Sequence, residues 1–345
     1  MIRPFQLRDL ALVHRLSEQG ISLHTESALT KNVYPIRGAL ISLVGGDFPT
    51  YVWKAEKNEQ AGFIQLHLEG ESHHGHILYL SCSSQLDPQE SIETKGQPNG
   101  RYSHTSSPET EESAWLPLLD QAVIETGRRG LHNLVAEVDE TGKELPLLRR
   151  AGFVVYTRQD IWVIQETDRK ERDKFLTPRR AVDDWDIQLL YANTVPRLVQ
   201  LVEPTPPIYD GEGWVLREEN ELTAFVHIHD GPVATWMRLY IHPNAEAQID
   251  DIIQSALQLK TPDPTHPVYC CVRRYQSWVQ NALERKGFSL WGSQAVMVKH
   301  TVHYLPKPTP EMATVVDGQR VTPTTPFAPH YDQPHTNSQA RHKKA

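Results

Sequence analysis

The sequence predicts an α+β fold built twice. Two similar halves, each a mixed central sheet flanked by helices, are followed by a disordered C-terminal tail. Three observations carry this. Two stretches end in nearly the same phrase, Leu147-Leu148-Arg149-Arg150-Ala151-Gly152-Phe153 and Ala282-Leu283-Glu284-Arg285-Lys286-Gly287-Phe288, with the glycines 135 residues apart. The runs before each phrase match in order: strand, amphipathic helix, strand, short helix, Gly-Phe corner, final strand. The register of the repeat changes at one place. Leu80 corresponds to Tyr240 at an offset of 160, so against 135 the first half carries 25 extra residues, within 83–109. Internal repeats of this kind define the architecture before any single motif does.

The elements follow in order. Residues 2–6 read as a strand. A helix from Arg8 to Gly20 carries Leu10, Val13 and Leu16 at helical spacing. Strands are expected near 39–45, 50–56, 61–68 and 75–82, with a hairpin at Glu69-Gly70-Glu71-Ser72. Helix 112–128 presents Trp115, Leu118, Leu119, Ala122 and Val123 on one face and ends near Gly127 and Gly130. Strand 131–138, helix 143–150 and strands 153–158 and 161–165 complete the half. The second half repeats the plan: helix 191–202, the turn Pro204-Thr205-Pro206-Pro207, strands 213–218, 222–229 and 234–241, helix 245–259, strand 268–273, helix 276–286 and strand 289–299.

The domain reading is 1–165, with the long loop 83–109, a charged linker 166–184, a second domain 185–303 and a tail 304–345. The tail is rich in Pro and polar residues and cannot bury enough apolar surface to offset ordering entropy. Loop 84–108 is expected to be mobile for the same reason.

Net charge is −8 and pI about 6.1, which argues against a nucleic-acid surface. Mean hydropathy is −0.49, no apolar run approaches a membrane span, and no secretory signal is read at the N-terminus. Three cysteines, Cys82, Cys270 and Cys271, make no disulfide framework, so a reducing, cytoplasmic setting is expected.

This order of elements resembles the GNAT superfamily of acyl-CoA N-acyltransferases. Ile2-Arg3-Pro4…Leu7-Arg8-Asp9-Leu10 looks like a common GNAT opening, and Leu148-Arg149-Arg150-Ala151-Gly152-Phe153 like the family's helix-to-strand corner. The resemblance covers about residues 1–165 and, more weakly, 185–303. It implies acetyl-CoA as co-substrate and a small-molecule or protein amine as acceptor. It also implies an acyl group held between the diverging strands that end at Leu80-Ser81-Cys82 and at Glu137. Backbone N–H groups near Leu80, Ser81 and Cys82 would receive the thioester oxygen. A glycine loop would hold the pyrophosphate at a helix N-terminus, and Gly100 in Gln97-Pro98-Asn99-Gly100 is its candidate. Glu137 and Tyr79 are the candidate catalytic residues.

The chain also departs from that pattern. In the second half Ile241-His242-Pro243-Asn244 runs into a helix start containing Glu246, Asp250 and Asp251 and no glycine. Those carboxylates suit the helix dipole and repel a pyrophosphate. In the first half Tyr102 replaces the last glycine, and Ser107-Pro108-Glu109 reads as an ordinary capped helix start. Leu148 and Leu283 stand where the family often keeps a tyrosine acid.

Other clusters favour structure. His67, His73, His74 and His76 read as strand and turn histidines, and no metal is expected. His227 and His229 share one strand face; Cys270 and Cys271 point to opposite faces. Three uses remain open: a catalytically silent binding or regulatory module, an N-acetyltransferase working through its first half, and a dimerisation platform giving a homodimer. The residue evidence favours the first.

Overall fold

The computed structural model describes residues 1–31, 35–55, 61–68, 74–83, 108–167, 175–208, 211–219 and 221–301, with side chains from 115 onward in the helix that begins at Pro108. Met1–Tyr304 form one compact unit. The expectations for loop 84–108, for Gly100, for the hairpin turn and for tail 306–345 lie outside the described residues.

In the first half the elements are β1 (Ile2–Pro4), a 3-10 turn (Leu7–Asp9), α1 (Leu10–Leu16), β2 (Ile21–Ser22), α2 (Thr25–Thr30), α3 (Pro35–Ser42), β3 (Thr50–Lys54), β4 (Ala61–His67), β5 (His74–Cys82), α4 (Pro108–Arg128), β6 (Asn133–Asp139), α5 (Glu144–Arg150) and β7 (Val154–Ile164). The second half has β8 (Thr177–Pro178), a 3-10 turn (Ala181–Asp183), α6 (Asp184–Thr194), α7 (Arg197–Gln200), β9 (Glu212–Glu218), β10 (Glu221–Asp230), β11 (Thr235–Ile241), a 3-10 turn (Pro243–Gln248), α8 (Ile249–Leu259), β12 (Val268–Arg273), a 3-10 turn (Arg274–Val279), α9 (Gln280–Arg285) and β13 (Ser289–His300).

All thirteen strands join one mixed sheet, in the order β1-β3-β4-β5-β6-β13-β7-β12-β11-β10-β9-β8, with β2 against β5. The two halves therefore share a sheet, and they share it by exchange. Residues 153–158 and 161–165, expected as two strands, are one strand, β7. Its Gln159–Ile164 portion pairs with β12 of the second half. The Gln294–His300 portion of β13 pairs with β6 of the first half. Between them β7 and β13 run antiparallel, Gln159 opposite Gln294. Each half's last strand thus completes the other's sheet.

Three further expectations are corrected. The apolar run at 39–45 is not a strand: Pro35 starts a helix there, as a residue without a needed N–H does well, and a short apolar run does not distinguish the two by pattern. Helix 191–202 is two helices, because Pro196 pushes Val195 into extended backbone. The interval 166–184 already contains β8 and a 3-10 turn. There Asp183 accepts from the Arg180 N–H at 2.7 Å and pairs with Arg217 at 2.8 Å. Asp9 does the same with the Gln6 N–H at 3.1 Å and Arg3 at 2.5 Å. The repeated segments are Pro4-Phe5-Gln6-Leu7-Arg8-Asp9 and Pro178-Arg179-Arg180-Ala181-Val182-Asp183, whose shared letters are too few to notice.

Alternate strand residues face opposite layers. Ile64, Leu66, Leu134 and Ala136 pack under Trp115, Leu118 and Leu119 of α4 and Leu147 and Leu148 of α5. Met237, Leu239, Cys270 and Val272 pack under Ile252, Ile253, Ala282 and Leu283 of α8 and α9. Each of the buried Leu, Ile, Val and Met side chains among them contributes about 1.5–3 kcal/mol. Phe63 meets Val13 and Leu16 of α1 on the other face, and Phe225 and Tyr240 meet Ile187 and Leu190 of α6 there. Gly152 and Gly287 end α5 and α9 with φ of 84° and 89°, a left-handed corner that favours glycine.

Candidate functional site

Strands β5 and β6 are parallel neighbours only from His74–Asn133 to His76–Val135. Beyond that they part, and the gap between them is where the resemblance puts the acyl group. Residues 21–25 fill it. Ile21 and Ser22 pair with Leu80 and Tyr79. The Leu23 N–H donates to the Leu78 carbonyl at 3.0 Å, and the Leu23 carbonyl accepts the Glu137 N–H at 2.8 Å. This strap bridges both edges of the gap with main-chain hydrogen bonds. It is pressed close: a Cβ on Gly20 would sit 2.2 Å from the Tyr79 ring and 2.7 Å from Ser81 Cβ.

Of the described candidate residues from the sequence, Leu80 and Glu137 meet the strap directly, and the Tyr79 and Ser81 side chains hold the end of α1 that leads into it. Tyr79 donates to the Ser17 carbonyl at 2.5 Å, and its ring stacks on Phe63 at 5.6 Å; burial pushes its phenol up to about 12. Ser81 Oγ donates to the Leu16 carbonyl at 2.7 Å. Leu80 faces Ile21. Cys82 is half-buried and accepts from Trp115 Nε1 at 3.2 Å. Glu137 is 4% exposed and accepts the Thr25 N–H at 2.7 Å. Burial pushes its carboxyl up, but His24, the Thr25 N–H and Arg273 outweigh burial and hold it below the ordinary carboxylate value. Leu148, read as the lost acid position, is fully buried in the core under α5.

A chain of side chains links this point to the second half. Cys271 Sγ donates to Gln159 Oε1 at 3.3 Å, and Gln159 Nε2 donates to Gln294 Oε1 at 2.9 Å. Thr25 Oγ1 donates to the same Gln294 oxygen at 2.9 Å. Beside it the His24 and His76 rings meet edge-on at 4.4 Å, and His74 and His76 at 4.9 Å. Among the described residues no group of three or more His, Cys, Asp or Glu is placed to hold a metal ion.

The second half has a matching gap. β11 and β12 are paired from Thr235–Val268 to Arg238–Cys271 and then part. Two arginines stand at the divergence on one face. Arg238 Nη2 reaches Glu26 Oε2 of α2 at 3.2 Å. Arg273 Nη2 donates to Glu203 Oε1 at 2.7 Å, the oxygen that also accepts the Tyr156 hydroxyl. The Tyr191 hydroxyl donates to the Glu203 carbonyl at 2.6 Å. Desolvation pushes the Glu203 carboxyl up, but Arg273 and Arg238 outweigh burial and hold it below its ordinary value. The sequence reading missed Arg238, Arg273 and Glu203. Charged residues alternating with apolar ones on a strand read as a solvent face; here that face is covered.

At the β11–α8 junction the 3-10 turn separates Glu246 from α8, whose first turn holds Asp250 and Asp251. Asp250 is paired with Arg285 at 2.6 Å. No glycine is present. Among the described residues no helix is long and apolar enough to cross a membrane.

No family model matches the sequence, and no curated protein matches it. Among solved structures, a GCN5-related N-acetyltransferase from Sphaerobacter thermophilus shares 10% identity over 87% of this chain and 95% of its own, with a TM-score of 0.45. A tandem GNAT protein from the clavulanic acid biosynthesis pathway shares 11% over 87% and 98%, at 0.43. A functionally unknown conserved protein from Staphylococcus epidermidis shares 13% over 72% and 94%, at 0.45. The fold itself, read from its strand order and crossovers, is α+β with two similar halves in one mixed sheet.

Proposed function

We propose that this chain is a catalytically silent GNAT-fold protein that serves as a binding or regulatory module. One observation carries the reading: Leu23 hydrogen-bonds both Leu78 and Glu137, so the protein's own chain lies where a thioester would enter the first half. A strap satisfied on both edges is not displaced without exposing those main-chain groups, each costing about 1–3 kcal/mol when left buried and unpaired. The second half does not fit acyl-CoA either. Its helix start has Asp250 and Asp251 where a pyrophosphate would sit, and an anion there meets repulsion and desolvation together. The N-acetyltransferase alternative requires the strap to leave. Calorimetric titration of the full chain with acetyl-CoA is the test. No saturable heat is expected; micromolar affinity would overturn the reading.

A further inference from the structure

Helix α6 is apolar on both sides. Ile187, Leu190 and Tyr191 face the core. On the opposite side Val182, in the 3-10 turn before the helix, Trp185 and Leu189 follow one another at helical spacing and are exposed. Gln200 Nε2 donates to the Ala192 carbonyl at 3.1 Å and to the Val195 carbonyl at 2.7 Å, which sets α7 beside the last turn of α6. There Leu198 and Leu201 are exposed too, and the five apolar side chains are between 51% and 77% exposed. A helix that is hydrophobic all round is ordinarily buried all round.

The repeat supplies a comparison within the molecule. Asp9 and Asp183 hold the same position in it, so α1 is the counterpart of α6. The inward residues agree: Val13 stands for Ile187 and Leu16 for Leu190. The outward ones do not. At the positions of Trp185, Leu189 and Ala192 the first half has Ala11, Arg15 and Glu18, all exposed. The same helix therefore packs on the same kind of sheet without an apolar outer face, and the core does not explain Trp185 and Leu189.

The five side chains together expose roughly 450 Å² of apolar surface, taking about 250 Å² for a whole Trp side chain and about 100 Å² for each aliphatic one. A patch of that size marks an interaction site. A standard interface buries about 800 Å² per partner, about 65% of it apolar in homodimers. The patch thus supplies most of the apolar area that one copy of a stable dimer contributes. Its exposed flanks on α6, Gln188 and Asn193, are uncharged, as the centre of an interface favours. The charges lie at the two ends. Asp184 and Asp186 are in the first turn of α6, and exposed Arg197 follows its last turn. Two α6 helices crossing antiparallel about a two-fold axis bring each Arg197 towards the acidic first turn of the other.

We infer that the outer face of α6 and α7 is the contact surface of an isologous homodimer, centred on Trp185 and Leu189. The partner is a second copy of this chain. The inference goes beyond the binding-module reading and stands whether or not acetyl-CoA binds.

The test is sedimentation velocity of the full chain from about 0.1 to 100 µM. A dimer with micromolar or tighter Kd is expected. Trp185→Arg should raise that Kd at least about thirtyfold, the loss typical of a central Trp in an interface, with an unchanged circular dichroism spectrum. Should that variant not fold, Leu189→Arg should do the same. Arg15→Ala, on the counterpart face of α1, should leave the Kd unchanged. A chain monomeric at about 100 µM overturns the inference, and so does a Kd unchanged in both folded variants. In a monomer, acrylamide quenching compared between the chain and Trp185→Phe tells the other occupants apart. A shielded Trp185 would assign the face to another segment of the same chain, and an open one to a different protein; either overturns the homodimer.

Discussion

Gln159 and Gln294 donate and accept across the centre of the shared sheet, Nε2 to Oε1 at 2.9 Å, and they are 135 residues apart. That spacing is also the one between Gly152 and Gly287. The register around them is self-symmetric: Arg158 faces Ala295 as Asp160 faces Ser293. The two residues are the same position of the repeat, meeting each other where the exchanged strands cross.

Gln294→Ala is expected to strand the Gln159 amide and the Thr25 hydroxyl, both buried. A buried polar group left unpaired costs about 1–3 kcal/mol. Urea unfolding should show a lower midpoint at unchanged slope. A Gln159→Ala, Gln294→Ala double mutant should lose less than the two single losses added, because their effects are coupled.

Neither half should fold alone. Residues 1–165 lack β13, which covers the whole of β6; residues 176–304 lack β7, which covers β12. Each fragment would present an unpaired strand edge and open core, and is expected to aggregate. Co-expressed, the two should assemble. A monomeric fragment with a cooperative thermal transition of its own would show that the exchange is dispensable.

Gly20→Ala should loosen the strap. The added methyl collides with Tyr79 and Ser81, and overpacking of this kind costs about 1–3 kcal/mol. Hydrogen exchange at the Leu23 and Glu137 amides should quicken well beyond the change seen at Val226, in β10 of the second half. Equal exchange at all three would mean the strap is held by something other than its fit against β5.

Stability should fall on mild acidification. His76 is half-buried with its Nδ1 enclosed, and desolvation, then His24, His74, His67 and Arg238 around it, hold its imidazole well below 6.5. The unfolded chain takes up a proton near that pH and the folded chain does not. Stability is therefore full above pH 6.5 and declines as pH drops below it, by at most about 1.4 kcal/mol per pH unit for one such group. His76→Gln should flatten the Tm profile between pH 7.5 and 5.5. An unchanged slope would place the effect elsewhere.

Leu148→Tyr should reduce stability and confer no acetyl transfer. Leu148 is fully buried against α4 and the sheet, so a phenol there overfills the core and its hydroxyl lacks a partner. Denaturation and an acetyl-CoA turnover assay check the two parts.

The sequence by itself determined the repeat, the α+β class, the corner glycines and the core face of α4. These are local signals: apolar spacing, a left-handed glycine, a phrase that occurs twice. The tertiary structure decided the rest. Whether β7 closes on its own half or the other is a choice between long-range partners, and its period-2 pattern reads the same for both. The strap at residues 21–25 is too short to carry a pattern. Arg238, Arg273 and Glu137 look solvent-facing in sequence because alternation reports which face a side chain is on, not what covers that face. Covering is decided by segments far away in the chain, Glu26 over β11 and Glu203 over β12, and no local rule brings them there.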